Sequence, residues 1–224
     1  MKVKLLVAAG LAATAVAPVL MRAPKPVRLR PHGIETIPDA VEHCRQQPLQ
    51  GWELVEYAQQ LVTTKFAYFS SLHLWETPAL AFHNGRGCSN QYNTALAQLL
   101  AALGFQTQLV HASRVRLDDN PWWQVGHTWV QVTLDGRTRD VCASDHRNTP
   151  GHVHFVPVTH IHRFTPVTYF NTNSALAIFT IVQTWQTLLL GESHPRWMYR
   201  PFAEPINPRR QPGDKVTRRP RRQD

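Results

Sequence analysis

The stretch Gly85-Arg86-Gly87-Cys88-Ser89-Asn90 decides how we interpret this chain of 224 residues. The apolar residues after it recur at intervals of three and four up to Gly104, which predicts a helix that begins beside the cysteine. The first turn of a helix presents unpaired N–H groups and a partial positive charge, and both stabilise a thiolate. The stretch therefore predicts a reactive thiol at Cys88 if the chain supplies a base, and a buried structural cysteine if it does not.

The formal charge of +9 is concentrated at the C terminus. Seven basic residues alternate there with prolines: Arg209, Arg210, Lys215, Arg218, Arg219, Arg221 and Arg222. Such a segment cannot bury a core, so we expect residues 201–224 to form a disordered basic tail. An acidic membrane or an anionic envelope polymer is a possible partner of this tail. No nucleic-acid-binding motif accompanies it, so we do not expect DNA or RNA as a partner.

The N terminus has the pattern of a targeting or anchoring segment. Lys2 and Lys4 precede an apolar run from Leu5 to Met21, which is typical of a signal peptide or of a short membrane anchor. We therefore assign residues 1–30 to such a segment and its linker, and we expect an exported or membrane-anchored protein. A cytoplasmic protein with a buried N-terminal helix is the alternative.

The middle of the chain alternates between helical and strand patterns. The spacing of apolar residues predicts a helix from Gln50 to Lys65, and a second apolar helix runs from Ser174 to Leu190. Between the two, Asp135-Gly136 is a strong signal for a β-hairpin. The predicted strands are residues 105–115, 126–134, 137–143 and 152–158. Helices followed by an antiparallel sheet predict an α+β fold.

One histidine of this sheet is a candidate base. On the strand before the hairpin turn, Val130 and Val132 point to one face, whereas His127, Trp129 and Gln131 point to the other. An imidazole near a thiol takes the proton of the thiol during attack on a carbonyl group, and a third group fixes the imidazole tautomer. Cys88 and His127 are therefore the predicted catalytic pair.

At these residues the chain resembles the transglutaminase-like cysteine enzymes. The resemblance runs from about Trp52 to Asp145 and rests on three features in order: Gly-Arg-Gly-Cys88, the helix that follows it, and His127-Thr128-Trp129-Val130 ahead of the hairpin turn. It implies a papain-like α+β domain in which the catalytic cysteine begins a helix packed on an antiparallel sheet. It also implies a Cys–His–Asp triad, with Cys88 as the nucleophile and His127 as the base.

The acid of this triad is where the sequence departs from the family pattern, because Cys142 occupies the position where members often carry Asp. Asp140 and Asp145 are the nearest acids. A two-residue turn at Asp135-Gly136 would pair Asp140 with Gln131, about 13 Å from His127. A three-residue loop with a bulge would instead bring Asp145 to the face of His127. We expect that a thiol at Cys142 does not replace a carboxylate in orienting an imidazole.

The remaining cysteines and histidines give weaker signals. Export would permit a disulfide between Cys44 and Cys142, one of three possible pairings, whereas a cytosolic protein would keep three thiols. Two His-x-His pairs, at residues 152 and 154 and at residues 160 and 162, lack the carboxylate or cysteine spacing of a metal site. We therefore predict no metal and no cofactor.

The combined pattern predicts an enzyme that transfers or hydrolyses an acyl group at an amide or peptide bond through a thioester on Cys88. Its domain would span residues 31–166, and a helix in residues 167–200 would pack on it. A peptide or protein amide is the expected substrate, whereas the sequence does not predict an oligomeric state. Arylamine N-acetyltransferase-like chemistry is one alternative, although the cysteine motif lacks that family's spacing. A non-catalytic, peptide-binding envelope module that retains the fold is the other.

Overall fold

The computed structural model describes residues 2–118 and 120–202, which form a mixed α+β structure. The six α-helices of these residues are α1 (Lys2–Arg22), α2 (Ile37–Arg45), α3 (Gly51–Lys65), α4 (Pro78–Asn84), α5 (Ser89–Ala102) and α6 (Pro166–Leu190). Residues 203–224, which hold most of the predicted basic tail, lie outside the described part of the chain.

The strands form two sheets. They are β1 (Tyr68–Ser70), β2 (Arg86–Gly87), β3 (Gln106–Leu117), β4 (Asn120–Leu134), β5 (Arg137–Val141), β6 (Phe155–Pro157), β7 (Ile161–Arg163) and β8 (Tyr199–Pro201). The larger sheet is antiparallel with the order β5-β4-β3-β6, and β7 also pairs with β3. The smaller sheet has the order β2-β1-β8, in which β1 is parallel to β2 and antiparallel to β8.

The main core lies between α5 and one face of the larger sheet. Leu96, Leu99 and Leu100 of α5 are fully buried there together with Val130 and Val132 of β4. The opposite face of the sheet carries a second cluster, in which Trp129 packs with Phe155 and Cys142. The predicted alternation along β4 is therefore confirmed, and successive residues of this strand serve two different cores.

The central elements match the sequence prediction closely. Helix α3 begins at Gly51, one residue after the predicted start, and α5 begins directly after Cys88. The region predicted as a strand from residue 152 pairs only over Phe155–Pro157, and α6 begins at Pro166, eight residues before the predicted start. The earlier start follows from Thr165, whose hydroxyl accepts from the Thr168 N–H, and from Pro166 at the first helical position.

The turn between β4 and β5 resolves the choice between two hairpin geometries. Leu134 pairs with Arg137, so the turn has two residues, Asp135 and Gly136, and both have positive φ. Positive φ at both positions is typical of a type I′ turn. Asp140 consequently pairs with Gln131, as predicted for a two-residue turn. The three-residue alternative, which would have brought Asp145 to the face of His127, is wrong.

Helices α1 and α6 contact each other. The indole N–H of Trp185 donates to the Ala15 carbonyl at 3.0 Å, and the Arg22 guanidinium donates to the Glu192 carbonyl at 2.7 Å. Val19 of α1 packs in a small cluster with Leu72 and Met198.

None of the helices in the described residues is both long and apolar enough to cross a membrane.

All three cysteines are buried free thiols. Cys44 lies in the main core on α2, whereas Cys142 lies in the cluster on the opposite face of the larger sheet. The disulfide considered between these two residues is therefore not formed in this structure.

Candidate active site

Cys88 occupies the position immediately before α5, and its side chain is only 4% exposed. Its Sγ lies 2.7 Å from Asn90 Oδ1 and 3.4 Å from Gln91 Oε1, so the thiol donates into the first turn of the helix. Its backbone N–H donates to Gln91 Oε1 at 2.9 Å. This N–H would be the first choice for stabilising an oxyanion, but in this structure it already has an acceptor.

The Gly-Arg-Gly segment before Cys88 has a structural role. Gly85 ends α4 with φ +67°, and a Cβ at this position would approach the Val27 carbonyl oxygen to 2.8 Å. The guanidinium of Arg86 pairs with the buried Glu76 carboxylate at 2.6 Å. A Cβ on Gly87 would lie 2.9 Å from Gln91 Oε1, the acceptor of the Cys88 N–H. The segment therefore positions the cysteine by close packing and a buried ion pair.

Asn93 connects the first turns of α5 to the sheet. Its Nδ2 donates to the Thr128 carbonyl at 2.7 Å, and its Oδ1 accepts the Ala143 N–H at 3.0 Å. Close to this point, the Thr128 N–H lies 3.4 Å from Ser89 Oγ. Ser89 follows Cys88 and Thr128 follows His127, so the start of α5 adjoins the strand that carries the histidine.

His127 has a thiol as its hydrogen-bond partner. Its Nε2 lies 3.2 Å from Cys142 Sγ, and the imidazole is enclosed by the rings of Phe155 and Trp129 at centroid distances of 4.7 and 6.3 Å. Cys142 Sγ also contacts Ser144 Oγ at 3.1 Å and Asn93 Nδ2 at 3.4 Å. The thiol of Cys142 is therefore the hydrogen-bond partner of the imidazole in this structure.

Cys88 and His127 do not hydrogen-bond to each other in this structure. Among the described residues, Cys88 is bonded within α5 and His127 is bonded to Cys142. The sheet alternation explains the separation, because Val130 and Val132 face α5, whereas His127 shares the opposite face with Trp129 and Phe155. The two residues therefore belong to adjoining parts of one region without direct contact.

Burial controls the protonation states of these groups. It raises the pKa of the Cys88 thiol to about 12, and hydrogen bonds from the first turn of α5 only partly offset this increase. It also raises the pKa of Cys142 to about 11 and lowers the pKa of His127 to about 3. At neutral pH the site contains two neutral thiols and a neutral imidazole. The expectation that the helix start lowers the pKa of Cys88 is not met in this structure.

Neither predicted acid contacts His127. Asp140 Oδ1 accepts the indole N–H of Trp129 at 2.8 Å and the Gln131 amide at 3.1 Å. The two-residue turn explains this arrangement, because it sets Asp140 opposite Gln131 rather than His127. Asp145 lies beyond the end of β5 and pairs with Arg147 at 2.6 Å.

The histidine pairs form no metal site in the described residues, where no group of three or more His, Cys, Asp or Glu could hold an ion. The rings of His152 and His154 lie 5.2 Å apart, and His154 Nδ1 lies 3.3 Å from an Asp118 oxygen.

Sequence reasoning missed four polar residues that hold the site together, namely Glu76, Asn90, Gln91 and Asn93. The last three had a detectable signal, because polar side chains on the buried face of a predicted helix need hydrogen-bond partners. Gln91 also stands three residues after Cys88, which is the spacing of a capping box. Glu76 carried no comparable signal.

Comparison with solved structures shows a distant similarity to a transglutaminase structure. A solved structure described as "Crystal structure of a TGase" aligns with 48% of this chain at 13% identity and a TM-score of 0.39. The aligned region spans 30% of that protein's length. No protein-family model matches the sequence. No curated protein matches it either. The class that the fold and the site define is therefore a mixed α+β protein with a buried thiol–imidazole cluster.

Proposed function

We propose that this protein is a thiol-dependent acyl-transfer enzyme in which Cys88 is the nucleophile and His127 is the base. The observation that carries the proposal is the 3.2 Å contact between His127 Nε2 and Cys142 Sγ. It fixes the imidazole at the strand that adjoins the start of α5.

The proposed reaction proceeds from neutral groups. Cys88 Sγ attacks the carbonyl carbon of an amide, a C–S bond forms, and the thiol proton passes to the neutral His127. The imidazolium then protonates the leaving amine as the C–N bond breaks. Water or a second amine attacks the thioester and releases Cys88. The pKa values of about 3 for His127 and about 12 for Cys88 oppose this proton transfer in the buried arrangement, so the reaction requires the site to open to water, which weakens the burial that shifts both values.

This reaction needs a rearrangement of both groups, because Cys88 lies at the start of α5, whereas His127 points to the sheet face opposite α5. The Cys88 thiol must leave Asn90 Oδ1 and approach His127, and a substrate must reach a side chain that is 4% exposed. Asn90 is itself bonded to Asn173 of α6 through a contact of 2.5 Å between Nδ2 and Oδ1. Access to the thiol is therefore expected to depend on the contact between α5 and α6.

The substrate and location belong to the same proposal. A peptide or protein amide in the cell envelope is the substrate class that we propose, in an exported or membrane-attached protein.

The decisive experiment traps the acyl-enzyme. The full chain is incubated with p-nitrophenyl acetate, a small acyl donor, and the acetylated residue is mapped by mass spectrometry. We expect acetyl transfer to Cys88 with release of p-nitrophenolate, and loss of both in the variants Cys88→Ser and His127→Ala. The buried core residue Cys44 is the internal control, because it is also a free thiol but has no histidine partner in this site.

Alkylation tests the access step separately. Replacement of Asn90 by Ala removes the acceptor of the Cys88 thiol and the bond to Asn173. A net hydrogen-bond contribution of about 1 kcal/mol corresponds to a roughly fivefold faster reaction of Cys88 with iodoacetamide. The rate at Cys44 should not change. Equal rates at Cys88 in the variant and the natural protein would contradict the role of Asn90.

A non-catalytic module is the second candidate, because Cys88 is bonded to Asn90 and no acid contacts His127 among the described residues. It predicts that no cysteine is acylated faster than Cys44. Acylation at Cys142 would instead assign the nucleophile to the thiol that already contacts the imidazole.

A further inference from the structure

Helix α6 has an inverted distribution of polarity. The residues that it buries are three threonines, Thr180, Thr184 and Thr187, which bond to Ser71 Oγ or to carbonyl oxygens of their own helix. Most of its exposed residues are large and apolar, with Phe179 and Leu189 69% and 78% exposed, and the exposed polar residues are Asn171 and Gln186. A helix that faces water on its outer side normally has the opposite arrangement. This pattern matches a helix whose outer side meets an apolar medium.

The exposed apolar area continues onto α1, which contacts α6. We call the exposed apolar side chains of the two helices the α1–α6 surface: Leu5, Val7, Leu11, Leu20, Met21, Val167, Phe170, Ile178, Phe179, Val182, Leu188, Leu189 and Leu190. Isolated apolar side chains are common on protein surfaces, but a concentration on two contacting helices marks an interaction site.

The charges around this surface are mainly positive, and the two acids that directly flank it in sequence are Glu35, which pairs with Arg30, and Glu192. Residues 1–34 and 146–191, which contain α1 and α6, include no Asp or Glu. Residues 1–34 include six basic residues: Lys2, Lys4, Arg22, Lys25, Arg28 and Arg30. Basic groups beside exposed apolar helices are complementary to anionic lipid headgroups over acyl chains.

We propose that the α1–α6 surface lies on a lipid bilayer that contains anionic headgroups. The apolar side chains enter the headgroup–acyl boundary, and the basic residues of the N-terminal region contact the phosphates. A second copy of the chain fits less well, because it would bring two basic regions without acidic residues against each other. The proposal is independent of the acyl-transfer reaction.

Vesicle flotation of the full chain tests the proposal. Phosphatidylcholine vesicles are compared with vesicles that also contain phosphatidylglycerol, at low and high salt. We expect binding that is stronger with phosphatidylglycerol and weaker, though not lost, at high salt. Replacement of Ile178, Phe179 and Val182 by Gln should lower the partition coefficient about tenfold or more.

A matched control uses exposed apolar residues elsewhere. Val156 and Val158 are 46% and 51% exposed at the edge of the larger sheet, and their replacement by Gln should leave binding unchanged. Hydrogen exchange on the unmodified protein provides a measurement that does not depend on a variant. The amides of residues 166–190 should exchange more slowly when vesicles are added.

Three outcomes would overturn the proposal. One is the absence of vesicle binding by the unmodified protein, and another is equal loss of binding in the α6 variant and the control. The third is unchanged exchange in α6 together with a dimer, seen by sedimentation velocity, that the α6 substitutions abolish.

Discussion

The Cys88 thiol is subject to two opposing effects whose magnitudes can be compared. A helix start stabilises a negative charge by about 0.3–1 kcal/mol, less than one pKa unit. Burial acts in the other direction and raises the pKa from the ordinary value of 9.0 to about 12, which corresponds to about 4 kcal/mol. Burial is the larger effect, so the thiol is neutral unless the site opens.

Asp140 contributes to stability through a single buried hydrogen bond. Among the described residues it is the only acceptor bonded to the indole N–H of Trp129, which is fully buried. Replacement by Ala should lower the free energy of unfolding by about 1–3 kcal/mol, since the N–H loses its partner. Asp140→Asn keeps an acceptor oxygen and should cost less. Urea denaturation measures both, with Asp145→Ala as a control that should change stability by about 0–1 kcal/mol.

The same variants also separate two roles of Asp140. Trp129 stacks on His127, so we expect Asp140 to act on the histidine only through the indole ring. A loss of Cys88 acetylation in Asp140→Asn without a change in stability would show instead that the carboxylate acts on His127 directly.

Among the elements, α5 contains the strongest polar link between helix and sheet. Replacement of Asn93 by Ala leaves the Thr128 carbonyl and the Ala143 N–H without their partner in a buried region. We expect a loss of about 2–4 kcal/mol in the free energy of unfolding. Gln98→Ala, at an exposed position of the same helix, should change it by no more than about 0.5 kcal/mol.

A second measurement identifies the function of this link. Asn93→Asp keeps the acceptor for the Ala143 N–H but loses the donor to Thr128 and Cys142. We expect the rate of Cys88 acetylation to fall by more than the measured loss in the free energy of unfolding explains. A fall in the acetylation rate that is fully explained by the loss of folded protein would show that Asn93 has only a structural role.

The elements that were predicted correctly from sequence alone have their signals within their own residues. Periodicity specified α3 and α5, and Asp135-Gly136 specified the hairpin, because each signal lies within the element itself. The partner of His127 depends on contacts between distant segments. Cys142 meets the imidazole because the register of β4 and β5 and the position of Asn93 act together, and no short motif encodes that combination.

At the scale of the whole molecule, buried histidines make stability depend on pH. Burial lowers the pKa of both His73 and His127 from 6.5 to about 3. Between these values the unfolded chain binds more protons than the folded protein does, so the free energy of unfolding falls as the pH decreases. The expected loss is about 1.4 kcal/mol for each pH unit and each histidine.

Urea midpoints at pH values between about 7 and 5 test this dependence. His73→Gln and His127→Gln should each reduce the slope, whereas replacement of the exposed His160 should leave it unchanged. A smaller slope should remain in the double variant His73→Gln/His127→Gln, because burial also lowers the pKa values of His43, His111 and His194. An undiminished slope in the double variant would contradict the role of His73 and His127.

The smaller sheet has a consequence for how the chain is synthesised. Tyr68–Ser70 of β1 pairs with Tyr199–Pro201 of β8, so one edge of β1 has no partner until the ribosome has made the last described residues. Phe202, directly after β8, packs between Phe66 and Tyr92 beside the start of α5. A nascent chain therefore displays an open strand edge throughout most of translation, which is the kind of surface that chaperones shield and aggregation exploits. A premature stop just before residue 199 would leave that edge permanently unpaired.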